Sequence, residues 1–313
     1  MKILVYGLGA IGTVFATFLK EKGHIVYGIT KEKYLKQIQD NRISVSGIWG
    51  FHEANLNGIY STINNLKDTK FDLIIVSVKS YDTQEAIRDI INIFSENSFV
   101  LLTQNGYGNY EIAKTYLPAQ SVLLARVIFG AKVIQPGKVE VTVNADDVII
   151  GQPENLADEK KVKNIVDVVN KSGIPARYDP NVYQILWDKI IYNCALNPLG
   201  AILEKNYGFL AENSETREIM NNIIDEIFLV AQKNNIKLRW KNSKEYKKFF
   251  YETLIPPTKD HFPSMYYDIK SGKKTEIEAL NGAIIKLAKK ANISVPINQT
   301  ITNLILAKEK QNL

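Results

Sequence analysis

The feature that most constrains the fold is a glycine-rich turn between two short apolar runs near the N-terminus. Residues 2–6 are largely apolar, and Gly7, Gly9 and Gly12 then open an amphipathic segment that continues to Leu19. Residues 25–29 form the next apolar run. In this strand–turn–helix–strand context, the G-x-G-x-x-G spacing predicts a dinucleotide-binding turn.

The three glycines serve different physical purposes in such a turn. The first allows a tight backbone turn, the second lets the backbone approach a pyrophosphate, and the third permits close packing of helix against strand. The helix N-terminus adds unpaired N–H groups and positive potential. The alternative is that the glycines only punctuate a turn, which this placement does not favour.

The end of the second predicted strand indicates which nucleotide is bound. A site that prefers NAD carries Asp or Glu there, to hold the ribose hydroxyls. This chain has Thr30, followed by Lys31, Glu32 and Lys33. The missing acid and the two lysines favour NADP, although Glu32 argues against that preference and the lysines could be merely solvated.

Two further polar residues follow predicted buried strands. Lys79 stands at the end of residues 71–78, and Asn105 follows residues 99–103. Ligands of open α/β sheets bind outside the carboxyl ends of the strands, so both residues are placed to line a cleft. A surface lysine and a turn asparagine are the alternatives.

The pattern of elements changes near residue 179. Short apolar runs alternate with amphipathic segments before it, and a Pro-Gly pair at 136–137 predicts a hairpin. Helical periodicity without convincing strands follows. We therefore predict an α/β fold, with an N-terminal Rossmann-type doubly wound sheet over residues 1–178 and an all-helical domain over residues 179–313.

One predicted helix, residues 185–197, is apolar almost all round and should be buried. Lys189, Asn193 and Asn197 nevertheless recur every four residues and share one stripe. A buried amide without partners costs about 1–3 kcal/mol, and a charge costs more. From this helix alone, contact with loop carbonyls at a domain interface and a functional role are equally good interpretations.

Composition excludes several classes of protein. The net charge is +6, but only six of the 39 basic residues are arginines and the lysines are mixed with acids, which is typical of a solvated surface and not of nucleic-acid binding. The single cysteine, Cys194, and three scattered histidines do not predict a metal site. No apolar run of 18 residues predicts a membrane span, and we expect a cytoplasmic protein.

These residues together resemble the ketopantoate reductase (2-dehydropantoate 2-reductase) family, whose helical domain is like that of 6-phosphogluconate dehydrogenase. The resemblance runs nearly end to end. It rests on the glycine turn, Val78-Lys79, Gln104-Asn105-Gly106, Trp187-Asp188-Lys189 with Asn193 and Asn197-Pro198-Leu199, Ser264-Met265 with Asp268, and Thr275-Glu276-Ile277 with Asn281-Gly282.

The resemblance implies NADPH-dependent reduction of the 2-keto acid ketopantoate to pantoate, in pantothenate and coenzyme A biosynthesis. It implies that Lys189 is the general acid and that Glu276 is its catalytic partner. Substrate contacts would then come from Asn105, Asn193, Asn197 and Ser264. Cofactor contacts would come from Gly7, Leu8, Gly9, Ala10, Ile11, Gly12, Lys31, Lys79, Asn105 and Glu276.

Local sequence adds one expectation at Glu276. Thr275 and Glu278 fit a capping box at the start of a helix over residues 276–292, and Glu276 would lie in its first turn. In that setting a glutamate that only caps its helix is the simpler interpretation. The resemblance, and not the spacing, implies the catalytic role.

The chain departs from the family pattern at two places near the expected substrate site. Tyr207 stands where members often have asparagine, and His261-Phe262-Pro263 precedes Ser264 where some have asparagine and serine. Two alternatives therefore stay open: reduction of another branched 2-keto acid, or a non-catalytic NADP-binding regulator. We expect a monomer or homodimer that acts on a small molecule, without nucleic acid or membrane.

Overall fold

A computed structural model describes residues 1–40 and 42–311. The chain divides into two compact units. The N-terminal unit contains residues 1–104 and 109–183, and the helical unit contains residues 105–108 and the chain from Gln184 onward. The short segment 105–108 is thus part of the helical unit, although the rest of that unit lies much later in the sequence.

The described residues of the N-terminal unit form two sheets and five α-helices. Its strands are β1 (Lys2–Tyr6), β2 (Ile25–Ile29), β3 (Ile43–Gly47), β4 (His52–Ala54), β5 (Gly58–Tyr60), β6 (Leu73–Val76), β7 (Phe99–Leu102), β8 (Val122–Arg126), β9 (Phe129–Gln135), β10 (Lys138–Asn144), β11 (Val148–Gly151) and β12 (Ala176–Tyr178). Its helices are α1 (Ala10–Glu21), α2 (Glu32–Asp40), α3 (Thr83–Ile91), α4 (Asn109–Ala113) and α5 (Glu159–Lys171).

The larger sheet has eight strands in the order β12-β11-β8-β7-β6-β1-β2-β5. The six strands from β8 to β5 are mutually parallel, whereas β11 runs antiparallel to β8 and β12 runs with β11. The chain passes from β1 to β2 on one side and returns to β6 on the other. This reversal marks the crevice where open α/β sheets bind ligands, and the predicted Rossmann-type fold is confirmed.

A second sheet, in the order β4-β3-β10-β9, covers the other side of α1. The helix is therefore buried from Gly12 to Leu19. Phe15 and Phe18 lie against Phe129 and Trp49, with ring centroids 6.4 and 5.7 Å apart. Each buried phenylalanine contributes roughly 1.5–3 kcal/mol, so this packing fixes the helix that begins at the glycine turn.

Among its described residues, the second unit contains helices and loops but no strand, as predicted. Its α-helices are α6 (Val182–Leu203), α7 (Tyr207–Glu212), α8 (Ser214–Lys233), α9 (Ser243–Phe249), α10 (Ser264–Lys270), α11 (Asn281–Lys290) and α12 (Pro296–Gln311). None of the helices in the described part of the chain is long and apolar enough to cross a membrane.

The predicted capping box at Thr275 is wrong. The Thr275 N–H donates to Glu309 of α12 at 2.8 Å, and Glu278 pairs instead with Lys286 at 3.2 Å. A short 3-10 turn, Ile277–Ala279, therefore precedes α11, which begins only at Asn281. A carboxylate 34 residues away in sequence satisfies the donor that local spacing had assigned to Glu278.

Candidate active site

The glycine turn joins β1 to α1 at the carboxyl edge of the larger sheet. The N–H groups of Gly7 and Leu8 both donate to the Ile29 carbonyl at 3.0 Å, which ties the turn to the end of β2. Gly7 has a φ of 108°, and a Cβ there would lie 2.8 Å from the Val78 backbone nitrogen. Only glycine allows the turn to approach both neighbouring strands so closely.

Gly12 and Gly9 differ in what surrounds them. A Cβ on Gly12 would overlap the Gly7 carbonyl oxygen, so the protein's own packing requires glycine there. A Cβ on Gly9 would meet nothing within 4 Å. Gly9 is also the N-cap of α1, where no side chain caps the helix and the first turn carries no acid. An open, uncapped helix N-terminus fits a pyrophosphate.

Lys31 and Lys79 follow the neighbouring strands at the same edge. Lys31 comes after β2 and pairs with Asp82 at 3.4 Å, with 65% of its side chain exposed. Lys79 follows β6, and its carbonyl accepts from the Asp82 N–H at 2.8 Å. The ends of β2 and β6 are thus joined beside Gly7. An exposed ion pair of this kind contributes about 0–1 kcal/mol, so a phosphate can compete for Lys31.

In the helical unit, α6 carries Lys189, Asn193 and Asn197 in one row, and the predicted burial of this helix is confirmed. Asn193 and Asn197 are only 8% and 6% exposed, and Lys189 is half-buried. Asn197 Oδ1 accepts from Tyr207. The Asn193 amide has no hydrogen-bond partner in the protein among residues 1–40 and 42–311. A ligand that bonds this amide would offset its burial cost.

A proline interrupts the hydrogen bonds of α6 next to this row. Pro198 lacks an N–H, so the Cys194 carbonyl loses its helical partner. Asn281, at the start of α11, donates to that carbonyl at 3.2 Å. Asn281 is fully buried and also donates to Asn298 at 2.9 Å. The chain that follows Glu276 is thereby fixed to the α6 turn that carries Asn193.

Tyr107 joins the segment 105–108 to two other parts of the helical unit. Its ring lies 5.3 Å from that of Trp187, and its N–H donates to the Ala279 carbonyl at 2.8 Å. A Cβ on Gly106 would lie 2.8 Å from Ala279 Cβ, so this loop cannot carry a side chain there. Tyr107, two residues after Asn105, therefore contacts both Trp187, two residues before Lys189, and Ala279, three residues after Glu276.

Ser264 is the first residue of α10 and is exposed. The preceding Pro263 packs against Gly200 of α6, where a Cβ would lie 2.8 Å from the proline ring. Gly200 lies three residues beyond Asn197. The helical unit thus brings the segments of Asn105, Ser264 and Glu276 to the helix that carries Lys189, Asn193 and Asn197.

Asp188 holds the Lys189 turn of α6 in place. Its carboxylate accepts from Arg239 and from the Trp240 indole, each at 2.9 Å, and its carbonyl accepts from the Tyr246 hydroxyl at 2.9 Å. Asp188 is 8% exposed. These partners satisfy a buried carboxylate, which otherwise carries a desolvation cost of several kcal/mol.

Tyr207 sits in an aromatic cluster beside Asn197. Its ring lies 5.7 Å from Tyr192 and 5.4 Å from His261, and its N–H donates to the His261 carbonyl at 3.1 Å. Burial raises the pKa of Tyr207 well above its usual value, and partial desolvation lowers the pKa of His261. Both side chains are therefore neutral near pH 7.

Tyr107 and Asn281 have no predicted role in the sequence analysis, although a local sequence feature points to each of them. Tyr107 is an aromatic residue between two glycines in a loop, which is unusual unless the ring packs elsewhere. Pro198, in an apolar helix, leaves the carbonyl four residues earlier in need of a donor. No group of three or more potential metal ligands occurs within the described residues.

Two family models match this chain. The model for the C-terminal part of ketopantoate reductase PanE/ApbA matches residues 181–309, and that for ketopantoate reductase PanE/ApbA matches residues 3–155. Together they cover both units described above. The chain belongs to the ketopantoate reductase family.

The similarity to named members of this family extends over the whole chain. A 2-dehydropantoate 2-reductase from Aquifex aeolicus is 49% identical, over 100% of this chain and 98% of that protein. One from Pyrococcus abyssi is 31% identical, over 99% and 98%. The aligned length therefore spans both the glycine turn and the α6 row.

Solved structures show the same fold. D-mandelate dehydrogenase with NADH and anilino(oxo)acetate has a TM-score of 0.88 at 27% identity, covering 100% of this chain and 99% of that one. A PanE/ApbA family ketopantoate reductase from Ralstonia eutropha has a TM-score of 0.86 at 26% identity, with the same coverage. The family fold thus occurs in proteins named for different 2-keto or 2-hydroxy acids.

Proposed function

We propose that the protein catalyses the NADPH-dependent reduction of ketopantoate (2-dehydropantoate) to pantoate, a step in pantothenate and coenzyme A biosynthesis. The observation that carries this proposal is the row of half-buried Lys189 with buried Asn193 and Asn197, in a chain 49% identical to a 2-dehydropantoate 2-reductase. The row combines a proton donor with two amides that need polar partners.

The amides account for binding. Ketopantoate carries a carboxylate, a keto group and a hydroxyl, and Asn193 and Asn197 are assigned to the hydroxyl. A hydrogen bond contributes about 0.5–1.5 kcal/mol net, so a substrate that bonds these amides binds more tightly than one that does not. Ser264 and Asn105 are assigned to the remaining polar groups of the substrate.

Lys189 accounts for the proton. Bound NADPH supplies the hydride. Reduction of a ketone builds negative charge on the carbonyl oxygen, so a proton donor must stand within about 3 Å of it. The Lys189 ammonium is assigned that task, and the Glu276 carboxylate is assigned to orient it and to favour its charged form.

The N-terminal unit accounts for nucleotide binding. The turn from Gly7 to Gly12 is assigned to the pyrophosphate, with Gly9 leaving room for it, and Lys31 to the 2′-phosphate. The family resemblance further assigns nucleotide contacts to Lys79, Asn105 and Glu276. The open space at Gly9 and the weak pairing of Lys31 support these assignments.

The setting of the enzyme is proposed on its composition and relatives. Biosynthesis of a coenzyme precursor and a single buried cysteine suit a cytoplasmic protein. The scattered lysines and few arginines support a small-molecule enzyme that does not bind nucleic acid. We propose a monomer or homodimer, which light scattering would distinguish.

Steady-state kinetics test the function. Purified protein should oxidise NADPH when ketopantoate is added and not in its absence, with pantoate as the product. A protein that binds NADPH but reduces no 2-keto acid in a panel is instead a nucleotide-binding regulator. That result would overturn the proposal.

A second candidate substrate is a branched 2-keto acid without the hydroxyl. The likeness to D-mandelate dehydrogenase and the tyrosine at position 207 favour it. Comparing kcat/KM for ketopantoate and 2-ketoisovalerate decides between them. A site built around a substrate hydroxyl rejects the analogue that lacks it by about 10⁴–10⁵-fold.

A further inference from the structure

We infer that Tyr207 is a positioning residue for substrate specificity, because it fixes the Asn197 amide with its oxygen turned away from the ligand and its NH2 group available to it. This inference rests on the proposed function. It states that Asn197 presents a hydrogen-bond donor, and not an acceptor, to the substrate. The Asn197 NH2 group would then bind a ligand group that accepts a hydrogen bond, such as a hydroxyl oxygen.

The contact itself is short and buried. The Tyr207 hydroxyl donates to Asn197 Oδ1 at 2.8 Å, and the two residues are 4% and 6% exposed. A buried hydroxyl left without an acceptor costs about 1–3 kcal/mol, so the proton of Tyr207 must be donated. Within the described part of the chain, Asn197 Oδ1 is the acceptor it has.

That contact decides which way the amide points. An asparagine side chain has one acceptor oxygen and one donor NH2 group. With Oδ1 committed to Tyr207, the Nδ2 group remains for another partner, and no residue among 1–40 and 42–311 accepts from it. Rotating the amide by half a turn would leave both the tyrosine proton and Oδ1 without partners.

The tyrosine is itself held rigidly. Asn206 caps α7 by accepting from the Phe209 N–H at 3.0 Å, and the backbone of Gly208 donates to Lys259 at 2.7 Å. The ring lies between Tyr192 and His261. Because burial raises the pKa of Tyr207, its hydroxyl stays a donor over the working pH range.

The matched test compares Tyr207→Phe with Tyr192→Phe. Both variants lose one phenolic hydroxyl from the same cluster, but Tyr192 bonds to Thr258 at 2.8 Å and not to Asn197. Tyr207→Phe should lower kcat/KM for ketopantoate about tenfold, mainly through KM, and leave 2-ketoisovalerate unchanged. Tyr192→Phe should leave the ratio between the two substrates at its original value.

A double-mutant cycle separates positioning from general loss of structure. In an Asn197→Ala background, Tyr207→Phe should have no further effect on ketopantoate, because the amide it orients is gone. Equal loss on both substrates, or full additivity with Asn197→Ala, would overturn the inference and leave the proposed function standing.

Calorimetric binding of ketopantoate in the presence of NADP distinguishes failure of the proposed function from failure of the inference. If the wild type binds ketopantoate more tightly than Tyr207→Phe does, but does not reduce it, the inference stands and the proposed function fails. If it neither binds nor reduces ketopantoate, both are overturned.

Discussion

Asn281 donates a hydrogen bond to the carbonyl oxygen of Cys194, the acceptor that Pro198 leaves without a helical partner. The bond spans 87 residues and lies one residue beyond Asn193. It allows a proline inside a buried helix without an unsatisfied carbonyl. It also makes the position of the proposed substrate amides depend on α11.

Asn281→Ala should lower the free energy of unfolding by about 1–3 kcal/mol, because it leaves the Cys194 carbonyl and Asn298 Oδ1 without a donor in the interior. Urea denaturation measures the change. The control is Asn55→Ala, which removes an exposed asparagine and should stay within about 0.5 kcal/mol of wild type. Equal stability of the two variants would show that the bond at Cys194 contributes nothing.

Gly9→Ala and Gly12→Ala should separate nucleotide binding from folding. Gly9 has room for a methyl group and a φ of −88°, so Gly9→Ala should fold with wild-type stability but raise the NADPH Kd about tenfold or more. Gly12→Ala should lower stability by about 1–3 kcal/mol, since the methyl overlaps Gly7. Thermal unfolding and fluorescence titration measure the two effects. Unchanged NADPH affinity in Gly9→Ala would show that the pyrophosphate does not bind at this turn.

Lys31→Ala should weaken NADPH binding about fivefold at low salt and leave NADH binding unchanged, because only NADPH carries the 2′-phosphate. Lys36→Ala is the control, since Lys36 is also an exposed lysine and lies further along α2. Titrations with both nucleotides give the comparison. A similar loss for NADH would mean that Lys31 does not read the phosphate.

The elements that sequence predicts well are those set by local chemistry. The glycine turn follows from three glycines in one β–α unit, and the all-round burial of α6 follows from its apolar composition. The hairpin at Pro136-Gly137 likewise joins β9 and β10. Each of these features depends on residues that are close together in the sequence.

The elements that sequence misses depend on partners far along the chain. β10 pairs parallel with β3, so that Lys138 lies opposite Ser44, and this pairing builds the second sheet. Thr275 finds its acceptor at Glu309 and not at Glu278. The Tyr207 contact is missed for the same reason, because no periodicity links a residue of α7 to the amide of Asn197.

The proton-donor assignment has the most direct test. Lys189→Ala should lower kcat for ketopantoate about 10²–10⁴-fold, while the Kd for NADPH stays near its wild-type value. Lys161→Ala, at an exposed position of α5, should leave both unchanged. The measurement is NADPH oxidation at saturating ketopantoate, with nucleotide binding titrated in parallel. A Lys189→Ala enzyme that turns over at the wild-type rate would contradict the account.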